Sequence, residues 1–85
     1  MAEELSKIIH DMILESPVPV KILAKQIGKP YSTLLREVNP YDERAKLGVE
    51  TFIRLLKLTG NTSPIEYIAR ELDLELVSKK ESKAG

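Results

Sequence analysis

Leu5, Ile8, Ile9, Met12 and Ile13 recur three and four positions apart, with Glu3, Glu4, Lys7, Asp11 and Glu15 between them. That is one face of an α-helix, and it predicts a first helix over about residues 2–15. Pro17 and Pro19 end it, because proline lacks a backbone donor and pushes its predecessor out of the helical region. Pro19 also suits the opening of a second helix, Val20 to Ile27, which would bury Val20, Leu23, Ala24 and Ile27 and expose Lys21 and Lys25. Gly28 stops that helix, and a three-residue break, Gly28-Lys29-Pro30, precedes a short third one from Tyr31 to Val38. Leu34 and Val38 stand one turn apart on its inward side.

Asn39-Pro40 closes the third helix, and the chain to Gly48 reads as a polar loop. Val49, Phe52, Ile53 and Leu56 form the stripe of a fourth helix that ends near Gly60. Ser63-Pro64-Ile65-Glu66 has the spacing of a capping box with Ser63 as the cap, ahead of Ile65, Ile68, Ala69 and Leu72 on the inward face of a fifth helix. Leu74, Leu76 and Val77 are equally compatible with a longer helix and with an extended arm. Residues 78–85, SKKESKAG, have too little apolar side chain to fold and are expected to be a disordered tail. The expectation is one all-α domain over residues 1–77, a bundle of about five short helices.

Length and charge narrow the function. The 85 residues carry 13 basic and 13 acidic side chains and no cysteine, which leaves no disulfide framework, no thiolate zinc site and no cysteine nucleophile. A chain this short buries little surface, so completion of its core by a second copy is expected. No apolar run exceeds the three residues Met12-Ile13-Leu14, against about 20 for a membrane span, and the acidic start does not resemble a signal peptide. A cytoplasmic protein is expected. The charge is unevenly placed: residues 1–16 are net acidic, whereas residues 17–48 hold Lys21, Lys25, Lys29, Arg36, Arg44 and Lys46 against three acids.

The basic segment contains the only constellation with a clear chemical use. Two short helices joined by a tight glycine turn make a helix-turn-helix over about residues 20–38, which needs a small residue at the crossing, Ala24, and a positive-φ residue four positions on, Gly28. Anchoring by Leu34 and Val38 leaves Tyr31, Ser32, Thr33 and Arg36 outward, as candidates for base contact. Lys21, Lys25, Lys29 and Lys46 are the candidates for DNA phosphates. Other chemistry is thin. His10 has no nucleophile partner, Asp42-Glu43 and Glu71-x-Asp73-x-Glu75 read as solvated charge, and no metal cluster, cofactor site or small-molecule substrate site is indicated.

Residues Leu23 to Pro40, followed by Ala45-Lys46-Leu47-Gly48 and Leu58-Thr59-Gly60, resemble the bacteriophage regulatory CII family over roughly residues 20–77. The resemblance implies a λ-repressor-like helix-turn-helix regulator of phage or prophage transcription, acting in the bacterial host cell as a homo-oligomer, dimer or tetramer, on repeated sites in double-stranded DNA. It places Ser32, Thr33 and Arg36 at recognition-helix positions. Lys29-Pro30 departs from the general motif, and Asp42 and Glu43 would weaken phosphate contact by the loop. Apolar side chains expected to stay uncovered in a monomer, Leu55, Leu58, Leu74, Leu76 and Val77, are the candidates for an oligomer contact. The competing expectation is a helical adaptor or inhibitor that binds another protein and keeps the helix-turn-helix as scaffold, favoured by Glu37, Asp42 and Glu43 beside the basic face.

Overall fold

A computed structural model of the chain describes residues 2–79. Five helices appear in the order α1 (Ala2–Glu15), α2 (Val20–Ile27), α3 (Tyr31–Val38), α4 (Val49–Thr59) and α5 (Ser63–Glu71), and no strand is found among the described residues. The all-α expectation holds, with the breaks where proline and glycine were expected to place them. The disordered tail predicted for residues 78–85 lies, from residue 80 onward, outside the described residues.

One core organises the bundle. Ile9, Met12 and Ile13 of α1, Leu23, Ala24 and Ile27 of α2, Leu34 and Val38 of α3, and Leu55 of α4 bury against each other, with α1 in contact with α3, α4 and α5. Each large side chain so removed from water contributes roughly 1.5–3 kcal/mol. No helix among the described residues is long and apolar enough to cross a membrane.

The link between α2 and α3 is stiff. Gly28 adopts φ 85, its N–H meets the carbonyls of Ala24 and Lys25, and the Lys29 N–H returns to Ala24 at 3.0 Å. This is a Schellman turn, which needs a left-handed residue that only glycine supplies without steric cost. Pro30 follows as the N-cap of α3, and its carbonyl accepts the Leu34 N–H at 3.0 Å. Pro19 takes the same N-cap position before α2.

Three expectations about α4 and α5 are corrected. In α4 the buried residues are Thr51 and Leu55, while Val49 and Ile53 of the predicted stripe are exposed and Phe52 and Leu56 sit at the core's edge. Six of the eleven α4 residues are large and apolar, so the pattern is wider than one face, and docking against α1 and α2 decides which part turns inward. In α5 the buried residues are Pro64, Tyr67 and Ala69, and Leu72 is exposed because the helix ends at Glu71. The cap of α5 is Thr62 rather than Ser63: Asn61 Oδ1 accepts the Ser63 N–H at 2.9 Å, and the Thr62 hydroxyl donates to Glu66 Oε2 at 3.4 Å.

After α5 the chain turns at Asp73, which takes φ 58, and the Leu74 N–H returns to the Ala69 carbonyl at 2.7 Å. Residues 74–78 then form neither helix nor strand, which excludes the longer helix.

Candidate nucleic-acid interface

Helix α3 is two turns long, and its two sides differ sharply. Leu34 is 0% exposed and Val38 2%, so the inward side is locked into the core. Tyr31, Ser32 and Arg36 are exposed on the other side, and Thr33 is half-buried between the two. Ala24 is buried in α2, within the core that also holds Leu34 and Val38, where a larger side chain would overpack. The N-terminus of α3 has no side-chain cap, and its cap residue, Pro30, has no N–H to satisfy.

Each candidate cation has a distinct setting. Lys21 places its ammonium 5.5 Å from the centre of the Tyr31 ring, a cation–π contact across the α2–α3 junction. Lys25 is exposed one turn further along α2, and Lys46 is exposed in the loop after α3. Lys29 is different, since its ammonium lies 2.9 Å from Glu37 Oε2 and the side chain is only 29% exposed. It ties the turn to the last part of α3, and a phosphate would have to compete with Glu37 for it. Glu37 Oε1 is buried and finds no partner among the described residues, so the pair with Lys29 balances its charge.

Arg36 donates its Nε–H to Asp42 Oδ2 at 3.2 Å. The other oxygen, Asp42 Oδ1, accepts the backbone N–H of Arg44 at 3.0 Å and of Ala45 at 3.2 Å. The hydrogen bond from Arg36 first, and those two backbone donors next, hold the Asp42 carboxyl below 3.8. This pairing was not anticipated from sequence, where Asp42 reads only as a charge that repels phosphate. Two further polar ties were missed. Arg54 Nη1 donates to the Ile27 carbonyl at 3.1 Å, and the Tyr67 hydroxyl donates to Glu4 Oε2 at 3.2 Å. His10 Nδ1 lies 3.8 Å from Asp11 Oδ1, with His10 half-buried and Asp11 exposed.

The five residues expected to meet a second copy divide. Leu55 is 0% exposed at the centre of the core, so it has no surface to offer and that expectation is corrected. Leu58, Leu74, Leu76 and Val77 are all exposed. They are joined by Val49 and Ile53, which the sequence pattern had placed inside.

Comparison with known families matches residues 3–85 to the family described as phage regulatory protein CII (CP76). Searches of curated proteins and of solved structures found no match. The matched span is wider than the segment that carries the resemblance in the sequence, and takes in α1 and the residues after α5.

Proposed function

This chain belongs to the phage regulatory protein CII family, and on that premise we propose that it regulates transcription by reading the major groove of duplex DNA with α3. The observation that carries this reading is the two-sidedness of α3: Leu34 and Val38 are sunk in the core while Tyr31, Ser32 and Arg36 stand in solvent. A helix held that way presents donors and acceptors to base edges without having to unfold. Arg36 matches the acceptor pair of a guanine, Ser32 and Thr33 suit bases or phosphates, and Lys21, Lys25 and Lys46 suit phosphates. The family is one of regulators and not a class of enzymes, and no catalytic step is assigned.

One helix reads only a few base pairs. A symmetric pair of subunits on half-sites about 34 Å apart multiplies the discrimination, and the exposed Leu58, Leu74, Leu76 and Val77 offer apolar area for such pairing. The reading places the protein in the cytoplasm of the bacterial host, where the operator lies. The adaptor reading is weaker, because two of its three acids are taken up internally, Glu37 by Lys29 and Asp42 by Arg36.

A mobility-shift titration against the promoter region of its own gene and a random duplex, at two salt concentrations, tests the proposal. Arg36→Ala is expected to lose roughly 1–3 kcal/mol at one position of the half-site, whereas Lys25→Ala weakens all sequences alike and flattens the salt dependence. Absence of any shift at low salt overturns it in favour of a protein partner.

A further inference from the structure

Arg36 is 62% exposed, yet its Nε–H is held at 3.2 Å by a carboxylate that is only 22% exposed. That carboxylate is itself immobilised. Asp42 Oδ1 takes the N–H groups of Arg44 and Ala45, the Asp42 N–H returns to the Asn39 carbonyl at 3.2 Å, and Asn39 Oδ1 takes the Tyr41 N–H at 3.0 Å. A guanidinium has five N–H donors, and this bond uses the one at Nε. The Nη1 and Nη2 groups find no other partner among the described residues. Their outer edge is the fork that matches O6 and N7 of guanine.

We infer that Asp42 is a positioning residue for recognition, fixing Arg36 so that its Nη fork is aimed at a guanine in the half-site. The inference rests on the DNA-reading proposal above and adds a residue from outside the helix-turn-helix to it. A solvent-exposed arginine samples many rotamers and must give up that freedom on contact, whereas one anchored at Nε has already given it up. The same carboxylate repels phosphate, so it weakens binding to arbitrary sequence while strengthening the guanine contact. Both effects raise the ratio of specific to non-specific affinity, which is the quantity a regulator needs in a genome of competing sites.

Asp42→Asn separates positioning from loop structure. An asparagine keeps an Oδ1 to accept the Arg44 and Ala45 N–H groups, but the NH2 that replaces Oδ2 is a donor and cannot accept from Arg36. The full chain, Asp42→Asn and Arg36→Ala would each be used to select duplexes from a pool with a randomised central region. The expected result is that the unmodified protein enriches a site containing a fixed guanine, and that both variants enrich the same site with that position degenerate, its preference reduced roughly tenfold or more. If Asp42→Asn keeps the guanine preference, or binds the selected site more tightly with that preference intact, Asp42 only repels or masks and the inference falls while the DNA reading stands. If the unmodified protein enriches no sequence, both fall together.

Discussion

Arg54 on α4 reaches back to the carbonyl oxygen of Ile27, the last residue of α2, at 3.1 Å. The end of a helix carries unpaired carbonyls and a partial negative charge, and a guanidinium answers both. Arg54→Ala is expected to cost about 0.5–1.5 kcal/mol in urea unfolding, with Arg54→Lys recovering only part of it. An unchanged midpoint for the alanine variant would remove this tie from the account of how α2 is held.

Gly28→Ala isolates a backbone cost. No atom lies within 4 Å of where the added Cβ would sit, so the methyl meets no neighbour, and the left-handed φ of 85 alone is penalised. A loss of roughly 1–2 kcal/mol is expected, and less for Gly28→Asn, because asparagine visits that region more readily. Thermal unfolding of the two variants side by side checks the order.

The facing of α4 is open to a paired substitution. Leu55→Ala empties a fully buried position and should cost about 2–5 kcal/mol. Ile53→Ala, on the exposed side of the same helix, should cost roughly 1 kcal/mol or less. The opposite ranking in chemical denaturation would return α4 to the orientation its apolar stripe suggests.

Alkaline pH acts on the α1–α5 contact. Burial first, then the carboxylates of Glu71 and Glu4, push the Tyr67 hydroxyl from 10.0 up to about 12. The folded state therefore keeps a proton that the unfolded chain releases, so this contribution to stability is complete below 10.0 and is lost as pH rises towards about 12. Tyr67→Phe should abolish that part of the alkaline decline, as followed by unfolding midpoint and by tyrosinate absorbance.

Acid works on Asp42 with the opposite sign. Its folded carboxyl titrates below 3.8, so its contribution is present above that value and disappears as pH falls through the lowered one. Asp42→Asn should flatten that part of the acid limb. Carboxyl chemical shifts followed through the titration would show an Asp42 midpoint at 3.8 or above if neither the bond from Arg36 nor those from the Arg44 and Ala45 N–H groups persist in solution.

The helices were legible because their ends are chemically marked. Pro17, Gly28, Pro30, Pro40 and Gly60 interrupt the backbone whatever it packs against, and the helices stop at or near them. The inward side of α3 was legible too, since Leu34 and Val38 stand one full turn apart on it and both are buried. The inward side of α4 was not, because Phe52, Ile53, Leu55 and Leu56 offer competing faces and the choice is made by α1 and α2. The role of Asp42 was hidden for a related reason. Its link to Arg36 exists only because the loop folds back along α3, and nothing in the spacing of the two residues announces that return.

Between the last hydrogen bond of α2 and the first of α3 the chain has almost no slack, and the Lys29–Glu37 pair cross-braces what little there is. The two helices consequently meet any partner as a single preset shape. In the DNA-reading role proposed above, selectivity would come from refusing poor matches instead of moulding to them, and whatever bending an encounter requires would be left to the duplex.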